Sequence, residues 1–296
     1  MSTRPSTGTT PAAPERAPGA SGRPGFREVM AKLDAAQKPG EGVPAYMRWV
    51  NRRVARAGAA AAVALGLSAN AVSWISLSVS LIGLAVLIVA PIAWWTGLVV
   101  AVLLALGFAL DSSDGQVARV TGTGSVAGEW LDHVIDAVRT PAIHLAVLVA
   151  LYRHHAVADG WLLLPILYTL VSVGIFMSQI LAEQLRRGRL ASDALAAARA
   201  AASAPVVVLE AAVEELPARP GVEAPAAPVN KRRDTLRSFL LLPTDFGMVC
   251  WMFVFWGFTP VFVAVYALML LINGLHFPLS AFRKYVGLTA LNGGTK

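Results

Sequence analysis

The feature that most constrains this chain is an uncharged stretch of 54 residues (57–110), which contains no Asp, Glu, Lys, Arg or His between Arg56 and Asp111. A helix that crosses the hydrocarbon core of a bilayer needs about 20 apolar residues. The stretch is therefore long enough for two such helices, with Pro91 near the turn between them. A soluble domain usually carries about 25% charged residues, whereas this chain of 296 residues carries 15%, with 56% hydrophobic residues. These values predict a membrane protein rather than a soluble protein with one large core.

The hydropathy pattern predicts an all-α fold, an integral membrane six-helix bundle with an interfacial N-terminal helix. We expect the six spans at residues 71–90, 93–110, 131–152, 161–181, 245–258 (extended upstream through 239) and 260–282. The interfacial helix is expected within residues 44–60, where the sequence YMRWVNRRVAR mixes aromatic and aliphatic residues with four arginines. Such a mixture is typical of a helix that lies on a membrane surface, although a positively charged flank explains it equally well.

The remaining segments have a different composition. Residues 1–43 are rich in Pro, Gly, Ala, Ser and Thr and lack an apolar run, which predicts a disordered tail without a cleavable signal peptide. Residues 61–290 form the predicted membrane domain. Within it, residues 186–234 are expected to be a cytosolic insertion, a helix followed by a Pro/Ala-rich linker. With a single cysteine, Cys250, the chain cannot form an intrachain disulfide bond.

Charge orients the predicted spans. The net charge is +7 and no nucleic-acid-binding motif accompanies it, so we attribute the excess to cytoplasmic loops that lie against anionic lipid. The N-terminal flank, Arg119, the RRGR and KRRD segments, and the pair at 283–284 all fall on one side of the predicted bundle. Arg153 is the only Lys or Arg in the three short loops of the other side. We therefore expect both termini and residues 111–136 on the cytoplasmic face of the cell (inner) membrane.

Four aspartates follow the uncharged stretch, at positions 111, 114, 132 and 136. On helices, Asp111 and Asp114 are three residues apart and share a face, as do Asp132 and Asp136, which are four apart. If the second and third spans pack side by side, the two faces converge. Carboxylates this close repel one another unless cations lie among them, and oxygen ligands without a nearby cysteine favour Mg²⁺ or Mn²⁺. Two such ions are typical of phosphoryl transfer.

The residues around these aspartates suit a phosphate-containing ligand. Gly115 and Ala118 leave room for a nucleotide to approach the backbone. Arg119 offers a planar donor group that matches a phosphate. The glycines of residues 121–125 predict a turn, and Gly128 follows at the start of the third span. A P-loop is absent from the sequence, so ATP hydrolysis has no support.

The pattern D-x2-D-G-x2-A-R-x8-G-x3-D-x3-D, which runs from Asp111 to Asp136, resembles the signature of the CDP-alcohol phosphotransferase (CDP-alcohol phosphatidyltransferase) family at every fixed position. The resemblance in the motif covers 26 residues, and the six-span layout is also similar to that family. LSANAVS at residues 67–73 is similar to the family's Pro-Asn-x-x-Thr start of the first span, but Ala69 replaces the proline and Ser73 the threonine. We therefore give Asn70 only a weak role.

The resemblance implies a membrane transferase of phospholipid biosynthesis, and a homodimer. It implies transfer of a phosphatidyl (phospho-alcohol) group from a CDP-linked donor to a hydroxyl acceptor, with release of CMP. Two Mg²⁺ or Mn²⁺ ions would be held by Asp111, Asp114 and Asp132 with help from Asp136, which would also be the general base. The nucleotide pocket would be formed by Gly115, Ala118, Arg119 and Gly128. CDP-diacylglycerol is the favoured donor, because acyl chains can enter between helices at an interfacial site.

Several alternatives stay open from the sequence. Within the family, a CDP-linked polar alcohol donor would pair with a lipid acceptor. In another class, an ion or proton transporter also uses intramembrane carboxylates, but here the first two spans are nearly free of polar groups at mid-membrane. Arg139, Arg283 and Lys284 favour a phosphorylated acceptor, yet Arg139 fits a snorkelling arginine equally well. Gln179 and Glu183 are further candidates for an acceptor pocket.

The topology predicts which loops a membrane-impermeant thiol reagent reaches. In a Cys250→Ala background, a cysteine at Ala156 should be labelled on intact cells, because residues 153–160 face outward. A cysteine at Thr123 should be labelled only after the cells are opened. Labelling at Thr123 but not at Ala156 on intact cells contradicts the predicted orientation.

Overall fold

The computed structural model describes residues 25–35, 43–203 and 231–293 of the chain. These ranges contain helices and no β-strand, so the predicted all-α fold is confirmed. The α-helices are α1 (Phe26–Ala35), α2 (Arg52–Leu65), α3 (Ala69–Val89), α4 (Trp94–Thr121), α5 (Val126–Arg153), α6 (Leu163–Ser203), α7 (Lys231–Leu240), α8 (Phe246–Trp251) and α9 (Thr259–Gly293). Five of them, α3, α4, α5, α6 and α9, are long and apolar enough to cross a membrane.

The fifth predicted span (245–258) differs from a continuous membrane helix. It consists of α8 followed by a 3₁₀ segment, Met252–Phe255, and the apolar helical part, Phe246–Phe255, is too short to cross a bilayer alone. This broken segment packs against α4 and buries Phe253 and Trp256. A side chain at Gly97 of α4 would collide with the carbonyl oxygen of Phe253, so the glycine permits the close approach. In the ranges that the structure describes, the bundle thus contains five long helices and one short, broken segment.

The N-terminal region contains more structure than the sequence predicts. A π-helical turn, Met47–Asn51, leads into α2, which extends beyond the predicted interfacial helix to Leu65 and ends at Gly66 in a left-handed conformation (φ 74°). Within the predicted tail, α1 packs on α2 by burying Val29 and Leu33, and Asp34 forms an ion pair with Arg56. Residues 1–24 and 36–42 of that tail, and residues 204–230 of the predicted insertion, lie outside the described residues.

A seam of small residues joins α3 to α4. Ser76 donates a hydrogen bond to the carbonyl oxygen of Gly107 (2.8 Å), and Ser80 donates to the carbonyl oxygen of Ser76 (3.0 Å). A side chain at Gly107 would collide with the Ser80 hydroxyl and come within 3.1 Å of the Ser76 carbonyl oxygen. Small residues of this kind let membrane helices approach closely without a hydrophobic driving force.

The arrangement of α3, α4 and α5 differs from the side-by-side packing expected for the second and third spans. Helix α3 packs extensively on both α4 and α5, whereas α4 and α5 approach each other far less closely. Since α3 bridges the pair, a gap stays open between α4 and α5. The polar residues that these two helices carry therefore face a space bounded by α3.

The close contact between α3 and α4 predicts that a valine at Gly107 lowers stability, whereas a valine at Gly274 does not. Gly107→Val should destabilise the protein by about 1–3 kcal/mol, because the added methyl groups overfill the contact between α3 and α4. Gly274→Val in α9 is the matched control, since a side chain at Gly274 meets nothing within 4 Å. Thermal unfolding in detergent should show a clear fall in Tm for the first variant only. Equal Tm values for the two variants contradict the close packing at Gly107.

Candidate functional site

The turn between α4 and α5 sets the register of the aspartates. Gly122 ends α4 in a left-handed conformation (φ 67°), and the N–H of Thr123 donates to the carbonyl oxygen of Ala118 (3.0 Å). Ser125 caps α5, its hydroxyl accepting a hydrogen bond from the N–H of Gly128 (3.0 Å). Asp114 precedes the turn by two helical turns, and Asp132 follows it by nearly as much. At 1.5 Å per residue, both carboxylates lie roughly 10 Å from the connection.

Three of the four predicted metal ligands come together. Asp111, Asp114 and Asp132 each offer a carboxylate oxygen, and these oxygens lie within 4.8 Å of one another. Asp114 is buried, and so is Oδ1 of Asp111, which has Arg139 as its ion-pair partner. Three carboxylates that converge in this way, with a single arginine beside them, fit a divalent cation that prefers oxygen ligands. The donor set therefore agrees with Mg²⁺ or Mn²⁺.

The fourth aspartate, Asp136, joins the cluster through Arg139. Nη1 of Arg139 lies 2.9 Å from Oδ1 of Asp111 and 3.2 Å from Oδ1 of Asp136. Nη2 donates to the Ser76 hydroxyl (2.6 Å), which is part of the α3–α4 seam. Arg139 is only 2% exposed, so it does not snorkel to the membrane surface. Its guanidinium group instead offsets part of the negative charge of the cluster.

Ser73 on α3 holds Asp114 from the other side. Its hydroxyl donates a hydrogen bond to Oδ2 of Asp114, and the N–H of Gly115 donates to Oδ1 (2.5 Å). Ser73 occupies the position where the family resemblance has a threonine, and a hydroxyl group is what this contact requires. The sequence identified Ser73 only as a departure from that motif, because its partner lies 41 residues away in the chain.

A cavity of about 620 Å³ opens beside the carboxylates, between α3, the α4–α5 turn and α5. Its size is within the range of small-molecule sites. Of the residues predicted for the nucleotide pocket, Gly115, Ala118 and Gly128 line this cavity, together with Asp114 and Asp132. Arg119 is not among the lining residues. It is exposed, and its Nη1 lies 3.5 Å from the place where a side chain at Gly115 would begin.

Gly128 lines the cavity at a point where a side chain would be crowded. A Cβ at this position would lie 3.2 Å from Oγ of Ser125 and 3.3 Å from Oδ1 of Asn70. Contacts of this length force the neighbouring atoms to move. Asn70, for which the sequence predicts only a weak role, lines the same cavity.

Further polar residues at this cavity were not predicted as functional. Glu129 and His133 of α5 line it, as does Arg187 of α6. Nη1 of Arg187 lies 2.5 Å from Oε1 of Glu129, and its Nε lies 2.8 Å from Oε1 of Glu183. The sequence presents Arg187 only as one charge of a basic loop segment. Helix α6 continues past its apolar part to Ser203, and this continuation brings Arg187 to the cavity.

Fold and site together define an α-helical integral membrane protein with a carboxylate cluster beside a cavity of about 620 Å³. The family model for CDP-alcohol phosphatidyltransferase matches residues 66–216, just over half of the chain, and this protein belongs to that family. Membership implies transfer of a phospho-alcohol group from a CDP-alcohol to an acceptor, and it favours a transferase over a transporter. Family members use divalent metals. A comparison with curated protein sequences gave no match.

The tight contacts at Gly128 predict that a methyl group there weakens nucleotide binding. Gly128→Ala should lower the affinity for CMP about fivefold to tenfold, because the methyl group displaces Ser125 and Asn70, which line the same cavity. Gly160→Ala is the control, since a side chain at Gly160 meets nothing within 4 Å. Isothermal titration calorimetry of the detergent-solubilised proteins with Mg²⁺ measures both affinities. Unchanged CMP affinity in Gly128→Ala contradicts a nucleotide site in this cavity.

Proposed function

We propose that this protein transfers a phosphatidyl group from CDP-diacylglycerol to a hydroxyl acceptor and releases CMP. The observation that carries the proposal is the cluster of Asp111, Asp114 and Asp132 beside a cavity of about 620 Å³. A nucleotide linked through a diphosphate requires a cation-binding cluster for its phosphates and a cavity of this size next to that cluster.

The carboxylate cluster would hold two Mg²⁺ or Mn²⁺ ions, with Asp111, Asp114 and Asp132 as ligands and Asp136 assisting. When bound, the ions would neutralise negative charge on the diphosphate of the donor. The chain's own contribution is to keep the carboxylates in place. Ser73 holds Asp114, and Arg139 holds Asp111 and Asp136.

The nucleotide would lie in the larger cavity. Gly115, Ala118 and Gly128 leave its walls free of bulky side chains, so that the donor reaches the backbone of α4 and α5. Arg119 stands close to Gly115 on the exposed side of α4, where its planar guanidinium group can turn to a phosphate. Asn70 adds a polar group at the base of this cavity.

Asp136 would be the general base. Its side chain is 35% exposed, compared with 11% for Asp111, and it lines a second cavity that is distinct from the one beside Gly128. In phosphoryl transfer the attacking and leaving oxygens lie roughly in line, on opposite sides of phosphorus. A base that faces a separate cavity is suited to an acceptor that attacks opposite the leaving CMP. The acceptor oxygen forms a bond to phosphorus, the bond to the CMP oxygen breaks, and Asp136 takes the hydroxyl proton.

Exposed apolar side chains near the larger cavity support a lipid-linked donor. Val126 lines this cavity and is 87% exposed, and Trp130 on the next turn of α5 is 65% exposed. Acyl chains can cover such residues at the membrane interface. We further propose that this site and both termini face the cytoplasm and that the protein functions in phospholipid biosynthesis, as a homodimer.

Two aspartate variants separate the proposed roles. Asp136→Asn keeps the size of the side chain but cannot accept a proton, so CMP release should fall about 10²–10⁴-fold, while affinity for CDP-diacylglycerol is retained. Asp111→Asn removes an oxygen ligand, so divalent-ion affinity and donor affinity should fall together. The measurements are CMP formation and donor binding with purified protein and a panel of acceptors, with and without EDTA.

Three outcomes would contradict the proposed base, the proposed divalent ions or the proposed reaction. Near-normal CMP release by Asp136→Asn removes this residue from the role of base. Full activity after thorough chelation contradicts the use of divalent ions. A wild-type protein that releases no CMP from any CDP-linked donor with any acceptor rejects the proposed reaction as a whole.

A further inference from the structure

The second cavity, of about 200 Å³, lies among α4, α5, α6, α9 and the segment before and within α8. We call it the α5–α6 cavity. Its lining combines polar side chains, among them Asp136, Arg139, Thr140 and Gln179, with apolar ones such as Phe108 and Phe246. It reaches the candidate base Asp136 and is separate from the larger cavity beside Gly128.

The described lining of the α5–α6 cavity has no surplus positive charge. Among the residues that the structure describes there, Asp136 and Arg139 are the only Asp, Glu, Lys or Arg side chains. The guanidinium group of Arg139 is already engaged with two carboxylates, those of Asp111 and Asp136. A phosphate group placed here would meet one committed arginine and the carboxylate of Asp136, which disfavours it.

Most of the neutral polar groups are already bonded. The ring nitrogens of His144 lie 2.8 Å from the Tyr266 hydroxyl and 2.9 Å from the Ser172 hydroxyl, so both nitrogens have a hydrogen-bond partner. Nδ2 of Asn273 donates to the Tyr168 hydroxyl (3.1 Å) and to the carbonyl oxygen of Pro243 (3.2 Å). These contacts stiffen the wall of the cavity.

Three polar groups of the wall remain available. Among the described residues, the side chains of Thr140 and Gln179 have no hydrogen-bond partner, and neither does the buried Nε of Arg139. A buried donor without a partner is costly, and a ligand oxygen would satisfy it. All three groups can donate a hydrogen bond to a ligand oxygen.

Of the basic residues that favour a phosphorylated acceptor, Lys284 lies elsewhere. It lines a different cavity of about 330 Å³ between α6 and α9, together with Arg186 and Glu183. Within the described part of the chain, Gln179 is the one residue that lines both this cavity and the α5–α6 cavity. Arg186 follows Gln179 by seven residues on α6, roughly 10 Å along the helix axis.

We propose that the α5–α6 cavity binds the acceptor, and that this acceptor is an uncharged alcohol with a second oxygen next to the reacting hydroxyl. The inference rests on the proposed function and specifies the substrate class of the same site. The reacting hydroxyl gives its proton to Asp136 as its oxygen bonds to phosphorus and CMP leaves. The neighbouring oxygen accepts hydrogen bonds from Arg139 and Thr140, and the aromatic residues cover the carbon skeleton.

Two kinds of molecule carry this chemistry. A soluble polyol has a vicinal hydroxyl, and diacylglycerol has an ester oxygen next to its free hydroxyl. The first would pair with CDP-diacylglycerol, the second with a CDP-linked polar alcohol. The donor that supports turnover distinguishes them.

The experiment uses the full-length protein in detergent with Mg²⁺ and measures CMP release above that without acceptor. The donors are CDP-diacylglycerol and CDP-ethanolamine. The acceptors are inositol, glycerol and diacylglycerol, with inositol phosphate and glycerol 3-phosphate as the phosphorylated counterparts. At least one uncharged acceptor should give a kcat/KM about tenfold or more above that of every phosphorylated one. If a phosphorylated acceptor has an equal or higher kcat/KM than every uncharged one, the inference is overturned but the proposed function stands. If no pair of donor and acceptor releases CMP, the proposed function is rejected.

Three variants test the placement of the acceptor. Thr140→Val should raise KM for the acceptor about fivefold with donor affinity unchanged, because one hydrogen bond is lost. Arg139→Lys keeps a positive charge near Asp111 and Asp136 but lacks Nε, and should raise the same KM more than it lowers donor affinity. Lys284→Gln is the control and should leave the acceptor KM within twofold. A raised KM in Lys284→Gln with an unchanged KM in Thr140→Val places the acceptor in the neighbouring cavity and overturns the proposal.

Discussion

The contacts that stabilise four neighbouring carboxylates in a membrane protein are the interactions on which the rest of this structure depends. Charged groups at membrane depth are costly unless they are paired. Arg139 compensates Asp111 and Asp136 from within α5, and Ser73 holds Asp114 from α3. These contacts leave the oxygens of Asp111, Asp114 and Asp132 within 4.8 Å of one another. The remaining negative charge is the reason why the cluster suits divalent cations.

Helix α3 is the element that supplies this support. Its serines serve two purposes, since Ser76 bonds both to the backbone of α4 and to the guanidinium group of Arg139. The close approach at Gly107 fixes α3 against α4, and α3 also packs on α5. Because α3 lies against both helices, a gap persists between them. Asp132 lines the larger cavity at this gap, whereas Asp136, one helical turn further along α5, lines the α5–α6 cavity.

This division between two cavities connects the fold to the proposed reaction. The larger cavity has small residues, a glycine-rich turn and the carboxylates, which suit a nucleotide diphosphate. The α5–α6 cavity has aromatic walls and neutral polar groups, which suit an uncharged alcohol. Asp136 and Arg139 belong to the second cavity, yet Arg139 also contacts Asp111 of the carboxylate cluster. A donor and an acceptor can therefore approach the same phosphorus from different directions.

The sequence by itself determined the features that depend on local spacing and hydropathy. The uncharged stretch of residues 57–110 required membrane helices, and the intervals between the aspartates placed them on helix faces beside a glycine turn, because helical periodicity is a local property. Only the tertiary structure decided that α3 bridges α4 and α5, that Arg139 points inward to Asp111, and that α6 extends far enough to bring Arg187 to the larger cavity. Those contacts join residues that are 28 to 63 positions apart in the chain. The spacing of neighbouring residues does not determine such long-range contacts, nor the direction in which a long side chain points.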